Sequence, residues 1–188
     1  MKVLGISGSP RRDGNSMFIT GHALKAMAEE GIETELVSLS GFAIAHCDGC
    51  FACMKQKRCI IKDDLMPLYD RMVAADGIVL TTPVYFSAPS SLIKAFMDRT
   101  GMVALATGKA FKGKVGGPLV VGRRGGLNAT LSQMTFWFQL MECYMAVGSY
   151  WGIAFGKGKG EVAQDKEGLD TAWSFGKSMS LLMKATRR

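Results

Sequence analysis

Long apolar runs are missing from this chain of 188 residues. A membrane-crossing helix needs roughly 18 or more consecutive apolar residues, so none is expected. The first residues, Met1-Lys2-Val3-Leu4-Gly5-Ile6-Ser7, lead straight into a strand-like segment. They lack the extended apolar stretch and small-residue cleavage site of a secretory signal, so a cytoplasmic location is expected. Acidic residues are absent from Arg99 to Met141, where six basic ones stand: Arg99, Lys109, Lys112, Lys114, Arg123 and Arg124. With a net charge of +7, this imbalance suits a solvated basic face or attraction of an anion, such as a phosphorylated cofactor or an acidic protein. Basic recognition helices, RNP-type aromatic motifs and zinc-finger spacing are missing too, which argues against nucleic acid as a partner.

What is present is an ordinary globular composition, 48% hydrophobic and 21% charged. The length suits one domain with a sizeable core. No internal repeat, low-complexity tract or boundary divides the chain, so residues 1–188 are expected to form one unit. Apolar residues 3–7 read as a buried strand. Over 15–30, Phe18, Ile19, Ala23, Leu24 and Met27 recur at helical spacing, with Gly31 as a C-cap. Residues 33–38 alternate as a second strand, and a cysteine-bearing loop covers about 45–62. Asp63 or Asp64 can cap a helix reaching 75. Residues 77–82 read as a third strand, 90–99 as a short helix and the Gly/Lys-rich 100–114 as a loop. A fourth strand over 115–121, a long apolar helix over 127–147, a fifth strand over 149–155, a linker over 156–160 and a final helix over 166–184 complete the chain. Such alternation implies a parallel sheet with helices on both faces, and ligands of such sheets bind beyond the carboxyl ends of the strands.

After the first strand comes Gly8-Ser9-Pro10-Arg11-Arg12-Asp13-Gly14-Asn15-Ser16, opening a helix. Gly8 and Gly14 permit tight turns, Ser9, Asn15 and Ser16 offer short hydrogen-bonding groups, and the helix N-terminus presents free N–H groups to an anion. Arg11 can fork onto phosphate oxygens. The pattern matches neither G-x-x-x-x-G-K-[ST] nor G-x-G-x-x-G, so a P-loop for ATP is not expected. Together with Gly5-Ile6-Ser7, this segment resembles the phosphate loop of the NADPH-dependent FMN reductase branch of the flavodoxin-like superfamily. Thr82-Pro83-Val84-Tyr85-Phe86 resembles that family's loop against the isoalloxazine ring, and Val121-Gly122-Arg123-Arg124-Gly125-Gly126 resembles its third flavin-side loop.

The resemblance implies a flavodoxin-like, doubly wound five-stranded sheet of order 2-1-3-4-5 that binds FMN. Its candidate contacts here are Ser9, Arg11, Asn15, Ser16, Pro83, Val84, Tyr85, Phe86, Ser87, Arg123, Arg124, Gly125 and Gly126. Backbone N–H groups from Val84 to Ser87 can face a polar edge of the flavin, where a donor stabilises charge that appears on reduction. Tyr85 and Phe86 either flank the ring or pack the sheet end. The arginines either bind the pyrimidine edge or a nicotinamide nucleotide phosphate, or decorate the surface. Asp98 and Arg99 sit near the flavin by resemblance, or form a surface pair.

Four of five cysteines fall within 13 residues, as Cys47-x2-Cys50-x2-Cys53-x5-Cys59. Four thiolates suit a [4Fe–4S] cluster or zinc, and the softness of the set favours iron–sulfur. Reactive cysteines or a disulfide without metal remain the alternative. The pattern resembles the iron–sulfur flavoprotein subgroup, whose four cysteines hold a cluster. Cys143, in an apolar helix, reads as a core residue.

The resemblance implies an FMN-dependent oxidoreductase with NAD(P)H or reduced ferredoxin as donor. No separate acid–base dyad is visible, as expected where the flavin carries the chemistry. The rival is a non-catalytic, flavodoxin-like electron carrier, or a flavin or quinone reductase whose cysteines bind no cluster. Residues 134–147, apolar nearly all round, predict a homo-oligomer.

Overall fold

A computed structural model describes residues 1–186. Strands and helices alternate: β1 (Lys2–Ser7), α1 (Asn15–Glu29), β2 (Glu33–Ser38), α2 (Ala52–Gln56), α3 (Leu65–Ala74), β3 (Gly77–Tyr85), β4 (Ala88–Pro89), α4 (Ser91–Ala106), β5 (Val115–Gly122), α5 (Leu127–Leu140), β6 (Tyr144–Met145), β7 (Ile153–Phe155) and α6 (Lys166–Thr186). The sheet runs β2-β1-β3-β5-β6, with β7 also pairing β5 and β4 returning antiparallel on β3. The main ladder is parallel throughout.

Period-2 alternation divides the central strands between two cores. Leu4, Ile6, Ile78, Leu80 and Val120 face α3, α4 and α5. Val3, Val79, Leu119 and Val121 face α1 and α6. This is the flavodoxin-like arrangement, with seven strands where five were expected. One extra strand is β4, and the other comes from splitting the last sheet position. Tyr144–Met145 pairs with the start of β5 and Ile153–Phe155 with its end. The expected fifth strand over 149–155 therefore shrinks to its last three residues.

Two helix boundaries differ from the sequence expectation. The segment after residue 99 continues as helix to Ala106 because Gly101 leaves room for Trp137: a Cβ there would lie 2.8 Å from its indole nitrogen. That nitrogen donates to Met97 O at 2.9 Å, docking α5 on α4. The long helix ends at Leu140 instead of 147. Glu142 turns left-handed there (φ 56°), its carbonyl accepts from Gly113 N at 2.9 Å, and its carboxylate pairs with Lys109 and Lys112. Cys143 thus sits in the turn after α5, where burial pushes its thiol up to about 12 against a weaker opposing pull from Lys114, which keeps it inert.

At the carboxyl edge, β1 meets α4 at Gly8. A Cβ on Gly8 would collide with Ile93. Without one, Gly8 N donates to Thr81 O at 2.7 Å, and the N-cap Ser90 Oγ donates to Gly8 O at 2.6 Å. The first and third strand ends are thereby locked side by side beneath the loops that carry the candidate residues. No helix among the described residues is long and apolar enough to cross a membrane.

Candidate functional site

The three strand-end loops meet in one open cleft. Ser9, Arg11, Gly14, Asn15 and Ser16 line it from the β1–α1 turn, Pro83, Val84 and Tyr85 from β3, and Val121, Gly122 and Arg123 from β5. Ser9 and Ser16 are buried within the turn and Arg11 is exposed at its rim. Ser9 Oγ accepts from Arg11 N at 3.1 Å, and Gly14 N closes the turn on Arg11 O at 3.1 Å. Gly14 is the N-cap of α1 and no side chain caps that helix. The N–H groups of its first turn have no intrahelical partner and carry the positive end of the helix dipole, which suits a bound anion.

Asn15, which lines the cleft, also ties the turn to a distant segment. Its Nδ2 donates to Gly158 O at 2.8 Å and its Oδ1 accepts from Gly160 N at 2.8 Å. Asp13 pairs with Lys159 in the same strap. These ties hold the segment after β7 over the turn, so Gly156 and Lys157 also line the cleft. Sequence reading passed over Lys157. The signal for it was the Gly/Lys cluster directly after a strand, in the place where such sheets bind ligands.

The tip of β3 is a two-residue hairpin: Tyr85 pairs with Ala88, and Phe86 (φ 50°) and Ser87 (φ 61°) turn left-handed between them. Such turns favour Asn and Gly, and other residues cost roughly 1–3 kcal/mol each in this conformation. Phe86 is fully exposed at the tip. Neither it nor Ser87 lines the cleft. Ser87 instead binds the neighbouring loop. Its carbonyl accepts from Gln133 Nε2 at 3.1 Å, and its Cα would lie 2.8 Å from a Cβ on Gly126, which is itself left-handed at φ +82°. Arg123 borders the cleft; Arg124, Gly125 and Gly126 do not. Of the other basic residues in the acid-free span, Lys109 and Lys112 pair with Glu142, Lys114 donates to Val73 O and Ala75 O, and Arg99 is buried. Of that span, Arg123 therefore brings an exposed positive charge to the cleft.

The second grouping is the cysteine segment. All four of Cys47, Cys50, Cys53 and Cys59 line one largely apolar pocket, floored by Arg99, Met102 and Val103 of α4. Cys53 lies in α2, a short helix bounded by left-handed Phe51 and Lys57. Among the described residues, no three His, Cys, Asp or Glu side chains close around a point that could hold a single metal ion.

Arg99 is neither a surface residue nor beside the cleft, as its position at a helix end suggested. Its side chain is 1% exposed and pairs with Asp63, 8% exposed. Nη1 also donates to Ala45 O at 3.1 Å, and Nη2 to the sulfur of Cys59 at 3.1 Å. Asp98 pairs separately with Lys94 on the outside of α4. Burial works to raise the Asp63 carboxyl, but the Arg99 guanidinium and the N–H groups of Ala45 and Leu65 outweigh it and hold it below the usual carboxylate range.

Known proteins resemble the chain over most of its length. The family model described as NADPH-dependent FMN reductase matches residues 1–158. The chain belongs to that family. An iron–sulfur flavoprotein of Methanocaldococcus jannaschii is 40% identical over the whole of both chains. One from Methanosarcina thermophila is 40% identical over 74% of each. Within the FMN reductases the chain thus falls in the iron–sulfur flavoprotein subgroup and is an FMN-dependent oxidoreductase. Among solved structures, a flavone reductase superposes with a TM-score of 0.75 at 23% identity, covering 100% of this chain and 65% of that one. An archaeal flavodoxin superposes with a TM-score of 0.66 at 11% identity, covering 98% and 99%. At these identities the two structures bear on the fold alone.

Proposed function

We propose that this FMN reductase binds FMN with its phosphate in the turn from Ser9 to Ser16, and couples it to a [4Fe–4S] cluster on Cys47, Cys50, Cys53 and Cys59. NAD(P)H or reduced ferredoxin supplies the electrons. The observation that carries the reading is the uncapped N-terminus of α1, which opens into a cleft shared by the ends of β1, β3 and β5. Gly14 supports the fit: a Cβ there would crowd Ser9 Oγ at 3.0 Å and narrow the cradle. The first-turn N–H groups, Ser9, Ser16 and Arg11 would hold the phosphate, and Asn15 would keep the turn in shape. Backbone groups from Pro83 to Tyr85 and Arg123 would border the ring. FMN supplies the two-electron chemistry when bound, and the protein orients it and tunes it.

The cysteine pocket fits a cluster by the same kind of test. Four soft ligands line one largely apolar recess, a donor set that suits iron–sulfur. A reducing compartment such as the cytoplasm would keep four such cysteines available as ligands.

Arg11→Ala is expected to weaken FMN binding by about 1.5–3 kcal/mol, the range for a charged hydrogen bond, or roughly 10- to 150-fold. Fluorescence titration of the flavin-free protein measures it. FAD retained in place of FMN, or unchanged affinity in the variant, would contradict the phosphate assignment.

A homo-oligomer is part of the same reading. α5 buries only Leu127, Thr130, Met134 and Phe138. Its other side and the loop between β6 and β7 expose Phe136, Leu140, Val147, Tyr150 and Trp151, a surface a second copy would cover. Light scattering at micromolar concentration should give at least twice the chain mass, and a monomer would refute it.

A further inference from the structure

We propose that Arg99 sets the reduction potential of the cluster by donating a hydrogen bond to the sulfur of Cys59 from a fixed, buried position. The inference rests on the cluster reading above and adds to it a residue outside the ligand set. Three contacts fix the guanidinium. Nη1 reaches Ala45 O, two residues before the first cysteine; both terminal nitrogens reach Asp63, four residues after the last; and Nη2 reaches Cys59 Sγ. One side chain of α4 therefore ties both ends of the cysteine segment and one of its sulfurs. Nε is buried with no partner, so the group makes its contacts through its two outer nitrogens alone. Asp63 is the carboxylate in contact with it, and Asp48 feels its charge from farther away.

The electrostatic consequence follows from burial. A charge in a low-dielectric recess acts more strongly than one in water. When one electron enters a cluster, its negative charge grows by one; no bond forms or breaks at Cys59 and no proton moves. A donor aimed at the ligand sulfur favours that reduced state and raises the potential. Arg99 is such a donor, and Asp63 opposes it by offsetting its charge. A merely structural tie would make loss of either partner harmful in the same way. A tuning pair makes their removal act in opposite directions.

The test is a spectroscopic redox titration of anaerobically purified holoprotein, wild type and two variants. Arg99→Leu should lower the cluster midpoint, and Asp63→Asn, which keeps the size of the side chain, should raise it. Each shift should change the reduced-to-oxidised ratio at fixed potential about tenfold, or about 59 mV for one electron. If Arg99→Leu loses its iron, Arg99→Lys replaces it and should shift in the same direction by a smaller amount. Shifts of the same sign, or midpoints all within about 10 mV, with iron retained, would overturn the tuning role and leave the cluster reading intact. Wild-type protein without iron and sulfide would overturn the cluster reading itself, and the tuning with it.

Discussion

Cys53→Ser is expected to abolish iron and sulfide incorporation while FMN affinity stays within about twofold of wild type, the additivity range for independent sites. The two groupings share no lining residue. The cleft is built from the β1–α1 turn, the ends of β3 and β5 and the segment after β7; the cysteine pocket is built from the loop after β2 and the side of α4. The phosphate cradle depends on backbone locked by Gly8 against Thr81 and Ser90, none of which the cysteine loop touches through the contacts described. Serine keeps the size of cysteine but offers a hard hydroxyl where iron–sulfur chemistry needs a thiolate. Anaerobic iron, sulfide and flavin assays on the variant decide it. Loss of FMN along with iron would show that the two sites are one cooperative unit.

Asp63→Ala is expected to destabilise the protein by about 3–5 kcal/mol, because it leaves a buried guanidinium without its carboxylate. The side chain does more than balance charge. Asp63 accepts from Ala45 N at 2.9 Å and Leu65 N at 3.1 Å, so its loss also frees the start of α3 and the approach to the first cysteine. Urea unfolding at neutral pH measures the change, and a loss under about 1 kcal/mol would place the pair in the range of solvent-screened surface bridges. The pH dependence has a definite sign. The folded carboxyl is held below its unfolded value, so its contribution is fully present above the unfolded pKa and is lost as pH falls through the folded one. The variant should lack that part of the acid sensitivity. Asp63→Ala combined with Arg99→Leu should recover part of the loss, since an apolar replacement leaves no buried charge.

Local features were legible in the sequence and contacts between distant segments were not. The phosphate turn, the β3 end and the β5 end each follow a buried strand directly, so the three loops that meet in the cleft could be placed from the sequence, though Phe86, Ser87, Arg124, Gly125 and Gly126 fall outside its lining. The parallel sheet followed from the same alternation, and its order from the family resemblance. What escaped depends on partners far away in the chain. The ties of the Asn15 amide to Gly158 and Gly160 could not be read from its position in the turn. Lys157 enters the cleft only because that strap folds back over the turn. The stretch from 100 to 106 reads as loop because glycine breaks helices on average, yet Gly101 is the opening through which Trp137 docks. Arg99 reads as surface because arginine usually is, and only the fold brings Asp63 and Cys59 to it.

Anaerobic purification followed by flavin, iron, sulfide and zinc assays tests the central claim most directly. The account predicts one FMN with about four iron and four sulfide per chain. Zinc without sulfide in the cysteine pocket, or a chain that retains no FMN when the flavin is supplied, would contradict it.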